Sequence, residues 1–223
     1  MPTACELGQS TASYTLGLST ERASLGALTR GEWLEYDRLP HDQRRRDWLA
    51  GRCAAKRAVA ERCRVPIERI QIESREGTSP RCMLLDDVDR WTLAPLTISI
   101  AHRDGVGIAA VTDHDARVGV DVERAGDIAP ADHRYFVAPR ERAFVARFRA
   151  TLLWVLKEAV WKALNLTLST SFASVQLDFD EESDKLQGVW VDSTRLAATA
   201  HMVRVPGRQD LVAAVLEIER LEL

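Results

Sequence analysis

The chain has 223 residues, 46% of them hydrophobic and 28% charged, which gives room for one large domain or two small ones. A formal net charge of −3 excludes a global field directed at nucleic acid or an anionic membrane. No apolar run approaches the ~20 residues that span a bilayer, no basic-then-apolar leader marks secretion, and Cys5, Cys53, Cys63 and Cys82 show no C-x-x-C spacing, so a reduced, cytoplasmic protein is expected.

Residues 1–12 read as a loose leader. Ser13–Ser19 alternates weakly and predicts a first strand. Thr20 is a plausible N-cap for helical character running to about Leu39, where Pro40 and His41 break it. Asp42–Cys63 predicts a long helix, with Trp48, Leu49, Cys53, Ala60 and Cys63 along one stripe. Short strands are predicted near Ile70–Glu73, Arg81–Leu85, Leu96–Ala101 and Gly107–Thr112. Arg117–Glu123 alternates as a strand, with Val118, Val120 and Val122 on one face. After a loop, Pro139 suits the first turn of a helix. Leu152–Leu164 predicts another helix, and strands recur near Ser174–Asp180, Gly188–Asp192, Ala197–Val205 and Asp210–Glu217.

The two halves echo each other. Ala54–Val59 (AAKRAV) aligns with Val155–Val160 (VLKEAV), and Ile108–Val111 (IAAV) with Val212–Val215 (VAAV), in the same order and at a similar offset. The expected architecture is therefore α+β, with two similar subdomains, 13–118 and 119–223. Each would pack a helix on a small, mainly antiparallel sheet, the pair would be related by a pseudo-twofold, and the site would lie at their junction.

Asp121 and Glu123 are two apart on a strand, so both carboxylates share a face. A solvated edge face fits that pattern, and so does a close-set pair that needs a cation or proton between its members. Glu158 and Lys162 are four apart on a helix and also share a face. A surface salt bridge fits them, although Trp154 and Trp161 add bulk unusual for a fully solvated pair. A third carboxylate beside the first two would suit Mg²⁺, a hard cation that takes oxygen ligands and leaves room for phosphate. Only four of the 30 basic residues are lysines: Lys56, Lys157, Lys162 and Lys185. Unlike arginine, lysine can give up a proton.

VGVDVER, followed about thirty residues later by WVLKEAVWKAL, resembles the paired signature of the 4'-phosphopantetheinyl transferase superfamily, G-I/V-D-x-E and W-x-x-K-E-A/S-x-x-K. Trp154, Lys157, Glu158, Ala159 and Lys162 meet the second motif. Ser99-Ile100-Ala101-His102 looks like a third family segment, and the length and duplication look like the long, Sfp-type branch. The resemblance implies an enzyme of holo-[acyl-carrier-protein] synthase type. It would move the 4'-phosphopantetheine arm of coenzyme A to a serine of an apo acyl or peptidyl carrier protein, releasing 3',5'-ADP. It implies Asp121, Glu123 and Glu158 as ligands of Mg²⁺ (Mn²⁺ as a substitute), and Glu158 and Lys162 as catalytic groups. It further implies His102, Arg46, Arg52, Arg81 and Lys162 as coenzyme A contacts, and a monomeric pseudo-dimer.

Ala101 replaces the usual serine before His102, Arg103 replaces a small hydroxyl residue after it, and Gly77-Thr78-Ser79-Pro80-Arg81 departs from the usual glycine-proline segment. Arg140, Arg142, Arg147 and Arg149 fit either a solvated helix face or a basic dock for an acidic carrier. His41, His114 and His133 fall in loops, and His201 falls near the repeat equivalent of His102. Two alternatives stand beside the transferase: a non-catalytic module binding coenzyme A or a carrier, and another Mg²⁺-dependent phosphotransferase. The chain has no P-loop pattern, which weakens the latter.

Overall fold

The computed structural model describes residues 14–20, 23–74, 78–147, 150–167, 170–180, 183 and 185–219; the expected leader lies outside them. The chain enters its first sheet with β1 (Thr15–Ser19). The helical character expected from Thr20 to Leu39 is instead a 3-10 turn at Leu25–Ala27 and a helix α1 (Arg30–Asp37). Thr29, not Thr20, starts that helix. Its hydroxyl accepts from Glu32 N at 3.3 Å, and Glu32 Oε2 accepts from Thr29 N at 2.8 Å. This reciprocal pair satisfies two donors that a helix start leaves open, and Thr20 has no glutamate three residues on.

Helix α2 (Asp42–Cys63) follows as expected, and Arg64 closes it in the left-handed conformation. Then come β2 (Ile70–Glu73), β3 (Arg81–Leu85), β4 (Trp91–Leu93), β5 (Leu96–Arg103), β6 (Val106–Asp113) and β7 (Arg117–Arg124). The short helices α3 (His133–Phe136) and α4 (Arg142–Arg147) lead into α5 (Ala150–Leu164). Pro139 opens a 3-10 turn, Pro139–Glu141, that runs into α4. The chain ends with β8 (Gln176–Phe179), β9 (Leu186–Val191), β10 (Thr194–Met202) and β11 (Leu211–Ile218).

The fold is α+β, and every strand pairing among the described residues is antiparallel. The sheets run β1-β6-β5, β7-β11-β10-β9-β8 and β2-β3-β4. Ala109 and Val111 of β6 pack against Ala54, Ala55, Ala58 and Val59 of α2. Their neighbours Ile108 and Ala110 face the other way, into a core shared with Val118, Val120 and Val122 of β7 and Ala213 and Val215 of β11. Ala214 and Leu216 then face Leu153, Leu156, Ala159 and Val160 of α5. The order of layers is helix, sheet, sheet, helix. Strands covered on both faces read as continuous apolar runs rather than alternating ones.

Glycines let the helices sit this close, Gly107 of β6 against Ala50 O among them. A Cβ on Gly17 of β1 would lie 2.1 Å from Ala54 O, and one on Gly119 of β7 would lie 1.8 Å from Ala159 O. Each is a helix–strand approach that no side chain tolerates.

The repeat is also built into the buried charges. Lys56 of α2 pairs with Glu32 at 2.7 Å and donates to Ala27 O. Glu32 Oε1 in turn accepts from Ile72 N at 2.9 Å. Lys157 of α5 pairs with Glu141 at 2.7 Å and donates to Phe136 O. Glu141 accepts from Leu177 N at 2.8 Å and from Ala138 N at 2.8 Å. All four side chains are at most 1% exposed. In both halves a buried lysine thus joins the central helix to a turn and to the strand beyond it.

His201 does not occupy the place of His102. Overlaying Ile108–Val111 on Val212–Val215 sets His201, which pairs with Val215, on Ile98, which pairs with Val111. His201 packs against the Tyr14 ring instead, at 6.5 Å between centroids.

Candidate active site

The pleat of β7 sends Gly119, Asp121 and Glu123 toward α5, opposite Val118, Val120 and Val122. Gly119 brings α5 close, and one turn along, Glu158 and Lys162 face the two acids. Lys162 Nζ reaches Asp121 Oδ1 at 2.7 Å and Val120 O at 3.2 Å. Val120 N donates to Ser99 Oγ at 3.0 Å. β7 pairs with β11 on one edge only, so side chains from both halves satisfy its other edge. Lys162 and Ser99 thus both bond to the backbone of Val120.

Asp121 is 5% exposed, and its Oδ2 has no hydrogen-bond partner among the described residues. A buried carboxylate oxygen left open asks for a cation or a donor. Burial pushes the Glu123 carboxyl above its usual range, and Asp121 adds to the effect against Arg103 and Lys162. Burial also pushes Glu158 up, opposed by Lys162 and reinforced by Asp121 and Glu123. The three carboxylates thus sense one another across a low-dielectric space.

They are not drawn tightly together. No three His, Cys, Asp or Glu side chains among the described residues stand close enough to hold one ion as they are. Protein cations neutralise two of them instead: Lys162 on Asp121, and Arg103 on Glu123 at 3.2 Å. Hard carboxylate oxygens around an open buried acceptor are the donor set that suits Mg²⁺, and filling it requires side-chain rotation.

Beside this acidic patch lies a cleft of about 330 Å³ lined by Leu39, Arg44, Trp48, Arg52, Ser74, Pro80, Ile100 and His102. His102 leans on Gly51, where a Cβ would meet its ring at 3.1 Å. Burial pushes its imidazole below the ordinary value, Asp47 opposing and Arg44 and Lys162 assisting. Arg52 is nearly buried. It donates to Glu35 at 2.9 Å and Ser74 at 3.0 Å, and lies over the Trp48 ring at 4.6 Å. Arg46 lies off this wall, exposed and bonded to Gln43 at 2.7 Å. Arg44, two residues before it and one turn from Trp48, lines the cleft instead. Arg81 is exposed at the start of β3, next to Pro80 on the cleft wall. Gly77 lies outside the described residues.

The set around Arg103 escaped the sequence reading, except as a departure from the family pattern. Arg103 also pairs with Asp127, and Arg124 pairs with Asp104 at 2.7 Å. Nothing in the local pattern joins residues so far apart in the chain.

Residues 117–216 match the family model of the 4'-phosphopantetheinyl transferase superfamily. The match covers rather less than half of the chain, the half that holds β7, α5 and the three carboxylates, and it supports a transferase. A comparison with curated proteins returns no significant match. No helix among the described residues is long and apolar enough to cross a membrane.

The arginines expected to dock a partner separate. Arg140 lies over the Trp190 ring at 5.5 Å. Arg142 lines a groove of about 440 Å³ with His133, Arg134, Val137, Val145 and Ala146. The side chain of Arg147 lies outside the described residues.

Proposed function

We propose that the chain transfers the 4'-phosphopantetheine arm of coenzyme A to a serine of an acyl or peptidyl carrier protein. In this reading the halves 13–118 and 119–223 meet at the reaction centre. The observation that carries it is the buried Oδ2 of Asp121, unpartnered among the described residues, beside Lys162 and next to a basic cleft. The family match over residues 117–216 supplies the reaction class.

Asp121, Glu123 and Glu158 would hold Mg²⁺ or Mn²⁺. When bound, the cation neutralises pyrophosphate charge as the bond to the departing nucleotide breaks. His102, Arg44 and Arg52 would bind the phosphates of the nucleotide from the cleft, with Arg46 and Arg81 reaching in from its exposed rim. Glu158 would take the proton of the carrier serine, a task helped by burial, which pushes its carboxyl above the ordinary value. The serine oxygen forms a bond to the β-phosphorus while the bond to 3',5'-ADP breaks. Lys162 would steady the leaving oxygen, which arginine, holding its proton, could not protonate. Arg142, Arg140 and Arg147 would attract an acidic carrier. The test is incubation with coenzyme A, Mg²⁺ and an apo carrier, followed by chromatography for 3',5'-ADP; no nucleotide release from a range of carriers refutes the reading.

The depressed imidazole gives a pH prediction. His102 is held below its usual value when the cleft is free, so near pH 7 it is neutral. A phosphate favours the charged ring and raises that value, so binding takes up a proton. Affinity for 3',5'-ADP then rises as pH falls from about 7 toward 6. Calorimetry in buffers of different ionisation enthalpy is expected to show that uptake, and His102→Gln to lose it. Equal uptake in both proteins would place the phosphate elsewhere.

A further inference from the structure

Arg103 ends β5 at the rim of the acidic site. One arm of its guanidinium stands 3.2 Å from Glu123 Oε2, and the other pairs with Asp127. Its Nε is buried without a partner among the described residues, so the group is incompletely satisfied by them. Lys162 neutralises Asp121 at 2.7 Å. The open Oδ2 on a nearly buried Asp121 independently points to a ligand on this patch. A divalent cation that needs Glu123 must compete with Arg103. Arginine cannot shed its charge, so it yields only by moving, and Asp127 offers it a partner to move onto.

We propose that Arg103 is a tethered counter-ion: it holds Glu123 in the cation-free protein and passes wholly onto Asp127 when a divalent cation takes Glu123. This rests on the metal-site reading above. Arg103 is then a positioning residue that sets how much cation is needed to load the site. It also keeps Glu123 from meeting Asp121 as a bare like charge.

The test is titration of the full chain with Mn²⁺ alone, followed by electron paramagnetic resonance of the free ion. Arg103→Met is expected to tighten Mn²⁺ binding about fivefold, the upper end for a half-exposed ion pair. Asp127→Asn is expected to weaken it, because Arg103 is left with Glu123 alone. In the Arg103→Met background, Asp127→Asn should change little, since Asp127 acts through Arg103. Unchanged or weaker binding by Arg103→Met overturns the proposal. So does an equal effect of Asp127→Asn in both backgrounds, which would show a general field. If the wild type binds no Mn²⁺, or if Asp121→Asn binds it as the wild type does, the metal-site reading itself fails and the proposal goes with it. Urea melts check that each variant folds; if Arg103→Met does not, Arg103→Gln is read in the same way.

Discussion

Glu158→Gln is expected to lower transfer to a carrier by at least ~100-fold, the low end for a general acid–base group. The change keeps shape and volume and removes only the charge. Lys162→Ala should cost a similar factor, but it also removes bonds to Asp121 and Val120 O. Some of its effect will therefore appear as lost stability, and Glu158→Gln is the cleaner probe. Initial rates of 3',5'-ADP release measure both. A near-normal rate for Glu158→Gln would remove that side chain from the chemistry.

Lys157→Met is expected to destabilise the fold by about 3–5 kcal/mol, although its neighbour Glu158 faces the site. Lys157 is wholly buried against Glu141, and removing it strands a carboxylate in the core. Burial already pushes the Lys157 ammonium below its ordinary value, with Glu141 holding it up. Adding Glu141→Gln should recover part of the loss, because the amide oxygen can still accept from a backbone N–H. Lys56→Met should behave alike, since Lys56 and Glu32 form the same device. Urea denaturation measures all of these. Losses below ~1 kcal/mol, the range of surface pairs, would show that the pairs are not as buried as described.

These two lysines show how far the sequence could be read. The match of AAKRAV to VLKEAV pointed to a duplication, but not that each lysine meets a glutamate from earlier in the chain. The T-x-x-E of Thr29–Glu32 is a legible capping signal, and Thr20 lacks the glutamate that completes it. Period two placed Asp121 and Glu123 on one face of a strand, but not that this face lies under α5; that follows from the close approach at Gly119. The cleft was only half legible. The sequence marked Arg46 and Arg52, whereas Arg44 and Trp48 line the wall with Arg52. Helical spacing relates Arg44, Trp48 and Arg52, but it cannot say which stripe faces His102. Arg103 was visible only as a misfit, because its partners Glu123 and Asp127 come from another strand and a loop.

The most direct measurement is the intact mass of an apo carrier after incubation with this protein and coenzyme A, with and without Mg²⁺. A phosphopantetheine mass increase on the carrier serine is expected, one that needs the cation and is lost in Asp121→Asn. An unmodified carrier with every candidate partner, or full modification by Asp121→Asn, would contradict it.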